Sequence, residues 1–221
     1  MSDDRVQVPT AKGAAEVLWQ RAADAAATLV LTHGAGGDVD SHDLHALATQ
    51  LPDLGFDVCL LRMPWRVLGK PLPPAPAAID ECFGAVLTAV REQVRGALVI
   101  GGRSAGARSA CRLAAGSAYD VQAVLCLAFP LHPPGKPEKS RLDELEGSCV
   151  PTLVLQGERD PFGRPQEFPD ELVAEVVPVP FADHGLKVPK RADISQVEAT
   201  ELVVATVLEW LVREVVGNDA R

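Results

Sequence analysis

The stretch ALVIGGRSAGARSACRLAA, residues 97–115, decides the fold of this chain. It opens with four apolar residues at 97–100, which suit a strand buried on both faces. A glycine-rich turn follows at 101–106, and residues 105–115 have a composition compatible with a helix. The stretch therefore predicts a buried strand that turns tightly into a helix.

Apolar runs of the same kind recur at regular intervals on both sides of this stretch. With ALVI they form a series of five predicted strands: TLVL (28–31), VCLL (58–61), ALVI (97–100), AVLCL (123–127) and TLVLQ (152–156). Between them lie four helix-like stretches: 42–54, 76–94, 105–115 and 141–146. Such alternation implies parallel strands joined by right-handed crossovers, with helices on both faces of the sheet.

The two ends of the chain complete the predicted sheet. VAEVVPVP (173–180) predicts a last strand, and apolar residues at helical spacing over 197–216 predict a closing helix. Residues 6–8 and 16–19 predict an antiparallel pair at the sheet edge. We therefore predict one α/β domain over residues 1–221, without a large helical lid, because too few residues separate the fourth and fifth strands of the series.

Composition narrows the partners that this chain can have. A net charge of −9 argues against a general affinity for nucleic acid or anionic membranes. The N-terminal MSDDRVQV lacks the apolar core of a signal peptide, and no apolar stretch is long enough to span a membrane, so we expect a cytoplasmic protein. The five cysteines show no C-x-x-C spacing and read as reduced core residues. A catalytic cysteine is the alternative, but none lies on a glycine-rich turn beside a base.

The turn after ALVI has the pattern G-x-S-x-G, with Ser104 between Gly102 and Gly106. A serine on a tight strand-to-helix turn needs small residues two positions away on either side, because a β-carbon there would collide with neighbouring backbone. The turn exposes the hydroxyl at the carboxyl edge of the sheet, where the helix N-terminus stabilises developing negative charge. The alternatives are a connecting loop or a phosphate cradle, but neither phosphate-loop glycine pattern is present. Ser104 is the predicted nucleophile.

A nucleophilic serine requires a base and a third group that fixes the tautomer of that base. Of the five histidines, only His184 fits the chain order Ser, Asp, His, in a loop after the last predicted strand. Asp160 follows the TLVLQ strand and is the predicted acid. Asp183 is the competitor, but neighbours in an extended loop point to opposite sides, so we expect Asp183 to face solvent.

Further site residues are predicted around this trio. The HGAGG loop at 33–37 can offer backbone N–H groups to an oxyanion, with Ala35 as first donor, Gly36 as second, and Ala105 after the nucleophile as partner. Lysines and arginines in the loops at 136–139 and 187–191 predict an anionic acyl or leaving group. The alternative is that these cations are solvated or pair with Glu138 and Asp193. The candidate substrate-binding residues are Arg103, His33, Gly36, Lys136 and Lys187.

With these motifs in view, the chain resembles an α/β-hydrolase family that includes a testis-expressed eukaryotic hydrolase-like protein and the hydrolase-like region of a nonspecific-lethal histone acetyltransferase complex subunit. The resemblance is to the family's bacterial members, and dienelactone-hydrolase-like enzymes are more distant relatives. It rests on LTHGAGG (31–37), GGRSAGAR (101–108), FPLHPPGKPEK (129–139), GERDPFG (157–163) and DHGLKVPKR (183–191).

The resemblance implies the same roles for Ser104, Asp160 and His184. Two departures affect the expected acyl pocket: alanine stands at 105, where family members often have methionine, and LRMPW at 61–65 replaces an F-x-F-P-Y-like segment.

The predicted function is hydrolysis of a small ester or thioester through an acyl-enzyme on Ser104. We predict neither a cofactor nor a metal site, a small molecule as substrate, and no nucleic-acid or membrane partner. The sequence does not specify an oligomeric state. The alternative, from a different class, is a non-catalytic interaction module that uses the same fold as a scaffold.

Overall fold

The computed structural model describes residues 4–217. Eight strands form one sheet. In chain order these strands are β1 Asp4–Thr10, β2 Gly13–Gln20, β3 Ala27–Thr32, β4 Phe56–Arg62, β5 Ala97–Arg103, β6 Ala123–Leu127, β7 Thr152–Gly157 and β8 Glu175–Val179. The spatial order is β1-β2-β4-β3-β5-β6-β7-β8. β1 and β2 are antiparallel to each other, and β2 is antiparallel to β4, whereas all other neighbours are parallel.

Helices cover both faces of the sheet. They are α1 His42–Gln50, α2 Pro64–Val67, α3 Pro76–Val90, α4 Ala105–Ala115, α5 Leu142–Glu146 and α6 Gln196–Trp210. α3 and α4 pack on one face, and α1 and α6 pack on the other. Alternate side chains of a strand point to opposite faces, so Val30 and Ile100 join the first cluster while Leu29 and Val99 join the second. Burial on both faces explains why these strands read as continuous apolar runs.

The predicted fold class is confirmed: this is an α/β-hydrolase fold with a mostly parallel sheet and no large lid. All the predicted strands and helices form, including the antiparallel pair at the sheet edge. The structure differs at three helix ends. The turns after α1 and α3 tighten into 3₁₀ helices at Leu51–Leu54 and Arg91–Gln93, and α6 continues as a π-helix over Leu211–Val216. The short α2 is an element that the sequence did not predict.

The carboxyl edge of the parallel strands carries the loops of interest. The loops after β3, β5, β7 and β8 contain HGAGG, the serine turn, Asp160 and His184, respectively. Residues 128–151, between β6 and β7, form only a 3₁₀ turn and α5, so no helical domain covers this edge. Within residues 4–217, no helix is both long and apolar enough to cross a bilayer.

Candidate active site

Ser104 is the single residue that connects the end of β5 to the start of α4. Its φ of 49° and ψ of −108° are a left-handed conformation that costs a non-glycine residue free energy. The serine N–H donates to Leu127 O at 3.0 Å, and the serine carbonyl accepts from Arg108 N at 3.1 Å. These two bonds hold the strained turn between the sheet and the helix.

The glycines on either side of Ser104 are required by close packing. A β-carbon at Gly102, where φ is 152°, would lie 2.2 Å from Thr32 O. A β-carbon at Gly106 would lie 2.7 Å from Thr32 Cγ2 and 2.9 Å from His33 O. The nucleophile turn is thus pressed against the end of β3, as the spacing of the motif predicts.

Substituting Gly102→Ala should lower the free energy of unfolding by about 2–3 kcal/mol, because the new methyl group overlaps a carbonyl oxygen in a conformation that alanine disfavours. Urea denaturation of both proteins measures this change. Gly116→Ala is the matched control, since its β-carbon would meet only Leu113 O at 3.5 Å. A Gly102→Ala variant as stable as the control would contradict the proposed steric requirement.

The three residues predicted to act together lie in one hydrogen-bonded row. His184 Nε2 is 2.9 Å from Ser104 Oγ, and His184 Nδ1 is 2.7 Å from Asp160 Oδ2. Asp160 is fully buried, whereas the His184 side chain is 22% exposed. A carboxylate can only accept, so Nδ1 carries the proton and Nε2 is free to accept from the serine hydroxyl.

The Asp160 carboxylate is held by two donors besides His184. Gln156 Nε2 donates to Oδ2 at 2.9 Å, and Phe162 N donates to Oδ1 at 2.8 Å. The Phe162 ring stacks on the His184 imidazole with centroids 4.1 Å apart, a contact that the sequence analysis missed. The only available signal was an aromatic residue two positions after the acid. Asp160 and Phe162 together fix the plane and the tautomer of the imidazole.

Asp183, the competing acid, has a different role. Its side chain is exposed, as predicted, and its Oδ1 accepts from Gly185 N at 2.7 Å and Lys187 N at 3.0 Å. Its own N–H donates to Lys187 O at 3.0 Å. Asp183 therefore folds the loop that carries His184 rather than contacting the imidazole.

The HGAGG loop passes directly beside Ser104 at Gly34. A β-carbon at Gly34 would lie 3.3 Å from Ser104 Cβ, so this glycine, which the sequence analysis did not single out, gives the loop its close approach. His33 is buried and contacts no open space: Met63 N donates to its Nε2 at 3.0 Å, and its Nδ1–H donates to Gly34 O at 2.8 Å. Burial lowers the pKa of His33, in keeping with a neutral imidazole. The predicted substrate contact of His33 is therefore corrected to a loop-shaping role.

The peptide groups around Ala35 are also oriented by side chains. The Gly34 carbonyl accepts from His33, and the Ala35 carbonyl accepts from Trp65 Nε1 at 3.3 Å. Because N–H and C=O point in opposite directions in a trans peptide, the first bond aims the N–H of Ala35 away from His33. The second bond aims the N–H of Gly36 away from Trp65. The N–H of Ala105, at the first position of α4, has no acceptor within its helix.

Arg103 does not face open space either. Its Nη2 donates to the carbonyl oxygen of His184 at 2.7 Å, and its Nε lies 2.8 Å from Asp43 Oδ2. The contact between Nε and Asp43 Oδ2 is an ion pair and not a hydrogen bond, because the Nε–H does not point at the oxygen. The Arg103 side chain is 14% exposed and that of Asp43 1%. Two of the guanidinium nitrogens therefore face protein groups, and contact of Arg103 with a substrate stays a prediction.

Other predicted substrate-binding residues are exposed. Gly36, Lys136 and Lys187 lie at the surface, and neither lysine makes an ion pair with any residue from 4 to 217. Arg159 and Arg191 line a cavity of about 240 Å³ beside the segments on either side of His184. Contact of Gly36, Lys136 and Lys187 with a substrate stays a prediction.

The cysteines offer no competing nucleophile at this edge. Four of them are buried, and burial raises the pKa of the Cys59 and Cys126 thiols. Cys149 is exposed but lies before β7, at the opposite end of the strands. A thiolate at Cys59 or Cys126 is therefore disfavoured, and the exposed thiol is remote from the serine turn.

The arrangement at the carboxyl edge has a definite chemical capacity. The serine hydroxyl is hydrogen-bonded to an imidazole, and the imidazole is hydrogen-bonded to a buried carboxylate. Such a hydroxyl can lose its proton to the imidazole as its oxygen attacks a carbonyl carbon. A helix N-terminus behind the hydroxyl can stabilise the resulting negative charge.

Comparisons with known proteins place this chain. Residues 25–212 match the family model described as an alpha/beta hydrolase domain. An alpha-beta serine hydrolase homologue from Coxiella burnetii is 18% identical, with a TM-score of 0.73 over 94% of this chain and 98% of that one. A dienelactone hydrolase from Anabaena variabilis is 17% identical, with a TM-score of 0.73 over 97% of this chain and 98% of that one. A serine hydrolase without a lid from Xanthomonas campestris is 19% identical, with a TM-score of 0.68 over 94% of both chains. These structures share the fold, and the family match covers most of the chain, which therefore belongs to the α/β-hydrolase family.

Proposed function

We propose that this chain is a serine hydrolase that cleaves small carboxylic esters or thioesters through an acyl-enzyme on Ser104. The observation that carries the proposal is the row from Ser104 Oγ to His184 to Asp160, with contacts of 2.9 and 2.7 Å. A scaffold has no physical need for three such side chains in line, so the row favours catalysis over a non-catalytic interaction module.

In this mechanism His184 is the general base and Asp160 holds its tautomer. Ser104 Oγ attacks the acyl carbon as its proton passes to His184 Nε2, and the carbonyl electron pair moves to the oxygen. The N–H groups of Ala35 and Ala105 are the proposed donors to this oxyanion. The intermediate collapses and expels an alcohol or thiol, which takes the proton from His184. Water then attacks the acyl-enzyme with His184 again as base, releasing the acid and free Ser104.

Within the α/β-hydrolase family, we assign the chain to the group of the testis-expressed and nonspecific-lethal complex hydrolase-like proteins. Of the motifs that carry this resemblance, GGRSAGAR contains Ser104 and GERDPFG contains Asp160. DHGLKVPKR contains His184, and FPLHPPGKPEK is tied to the acid loop because His132 N donates to Phe162 O at 2.9 Å.

An anionic substrate is the second part of the proposal. Within residues 4–217, Lys136 and Lys187 are exposed without a carboxylate partner. Arg159 and Arg191 share a cavity beside the His184 loop, which Asp193 also lines. Cations that converge around a cleft concentrate anionic ligands, and added salt screens this effect. An acyl or leaving group with a carboxylate or phosphate is the substrate class that these charges favour.

We expect the protein to hydrolyse p-nitrophenyl butyrate and, at low salt, to hydrolyse the p-nitrophenyl monoester of succinate with a kcat/KM about 10-fold higher. The preference should shrink toward parity at high salt, because the field of the exposed cations is screened. Steady-state kinetics of both esters at two ionic strengths measures this. Folded protein that hydrolyses neither these esters nor matched thioesters would contradict the hydrolase proposal. Hydrolysis without an anion preference at low salt would remove only the substrate class.

A matched pair of variants separates local from overall charge. Lys187→Gln should reduce the preference for the succinate ester, because it removes a cation beside the catalytic loop. Arg91→Gln removes the same charge at the other end of the sheet, where Arg91 pairs with Asp120 in an exposed ion pair. Equal effects of the two substitutions would show that net charge, rather than a binding site, sets the preference.

A further inference from the structure

Three segments of the carboxyl edge meet at the Arg103 side chain. Arg103 is the last residue of β5 and directly precedes Ser104. Its Nη2 reaches the carbonyl of His184 at 2.7 Å, and its Nε reaches the Asp43 carboxylate at 2.8 Å. Asp43 lies in the first turn of α1, the helix that follows the HGAGG loop. One side chain thus links the segments that supply the serine, the histidine and the proposed oxyanion donors.

We infer that Asp43, Arg103 and the His184 carbonyl form a clamp that positions the imidazole of His184 against Ser104. Arg103 touches neither reacting atom and acts through the backbone of the histidine, so it is a positioning residue. The inference rests on the proposed function of the triad and adds residues to which that proposal gives no role.

The buried carboxylate explains why an arginine stands here. Asp43 is 1% exposed, and a carboxylate so far from water requires a compensating charge. Its Oδ1 already accepts from Leu44 N at 2.9 Å, which leaves Oδ2 for Arg103. A guanidinium spreads its charge over three nitrogens, so Nε can face the Asp43 carboxylate as an ion pair while Nη2 donates to the His184 carbonyl, whereas a lysine ammonium is a single point charge.

A second contact between the same elements supports the clamp. His42, the neighbour of Asp43, places its Nε2 3.2 Å from Leu186 O. The first two residues of α1 therefore hold the histidine loop at two carbonyls, His42 directly and Asp43 through Arg103. Because Asp183 closes this loop into a compact turn, fixing those carbonyls also fixes the base of the His184 side chain.

The substitution Arg103→Lys tests the clamp while keeping a positive charge opposite Asp43. On neutral p-nitrophenyl butyrate we expect kcat to fall about 10- to 100-fold with little change in KM, because a small displacement of the base slows proton transfer without altering binding. The double variant Asp43→Asn with Arg103→Met removes both charges and should also show a lower kcat with little change in KM. Arg112→Lys is the control, since Arg112 is also a partly buried arginine in an ion pair, with Asp80, and does not contact the histidine loop; its kcat should stay unchanged.

A proton NMR signal provides a readout that does not need turnover. The low-field Nδ1–H resonance of His184, identified by its loss in His184→Ala, should broaden or shift in Arg103→Lys and remain unchanged in Arg112→Lys. Inactive wild-type protein whose resonance still depends on Arg103 would contradict the proposed function and support the clamp.

Two outcomes would overturn the clamp. The first is an Arg103→Lys variant with wild-type kcat and an unchanged resonance. The second is an Arg103→Lys variant in which only the KM for the succinate ester rises. That result would indicate that Arg103 binds the substrate.

Discussion

Replacing Ser104 with alanine should reduce kcat/KM for p-nitrophenyl butyrate by about 10⁴- to 10⁶-fold, since no acyl-enzyme can form without the hydroxyl. The substitution removes one oxygen atom and leaves the glycines of the turn in place, so the fold should persist. Kinetics together with circular dichroism and thermal unfolding measures both effects. Residual activity would come from the oxyanion donors and substrate binding alone.

Ser109→Ala is the matched control for this prediction. Ser109 lies on α4, the helix that follows Ser104, is buried, and donates to Asp80 Oδ1 at 2.6 Å. Its loss should cost about 1 kcal/mol of stability and leave kcat/KM nearly unchanged. A Ser104→Ala variant that keeps more than a tenth of wild-type activity would show that another group carries the reaction.

Replacing Asp160 with asparagine should reduce kcat about 10³- to 10⁴-fold with the fold intact. Asp160 accepts at both oxygens: Oδ2 from His184 and Gln156, and Oδ1 from Phe162 N. If the new amide NH₂ faces His184, the imidazole proton must move to Nε2, which then cannot accept from Ser104. If the NH₂ faces Phe162 N instead, two donors oppose each other. The first arrangement disables the base directly. The second loses the bond from Phe162 N and the negative charge that stabilises the protonated imidazole, so kcat falls in either case.

Asp183→Asn separates the two candidate acids in a parallel measurement. An asparagine oxygen can still accept from Gly185 N and Lys187 N, so the loop should keep its shape and kcat should stay within about threefold of wild type. A large loss in Asp183→Asn with a small loss in Asp160→Asn would reverse the assignment of the acid.

The fold could be predicted from sequence because two-sided burial leaves a strong signal. Each of the strands β3 to β7 contains an uninterrupted apolar run, and the helices between them alternate with those runs in a regular order. The short α2 left no such signal, since the four residues Pro64–Val67 are too few to show helical periodicity. The extension of β5 to Arg103 could not be predicted either. The pairing of β5 with β6 continues through Gly101 and Gly102, which lack the apolar side chains that mark a buried strand.

The members of the proposed triad could be predicted, but the directions of their neighbours could not. Ser104, Asp160 and His184 follow from the glycine turn, the chain order and the strand ends, which topology brings to one edge. Arg103 and His33 looked like substrate contacts because they flank that edge. Which way such side chains point depends on partners distant in sequence, Asp43 for Arg103 and Met63 for His33, and neither partner has a local signature.

Mass spectrometry after reaction with a fluorophosphonate probe tests most directly whether Ser104 is an activated nucleophile. We expect one phosphonyl adduct per chain, located on the tryptic peptide that contains Ser104, and no adduct in folded Ser104→Ala or His184→Ala protein. Folded wild-type protein that remains unmodified, or an adduct that maps to another residue and persists in Ser104→Ala, would contradict this assignment.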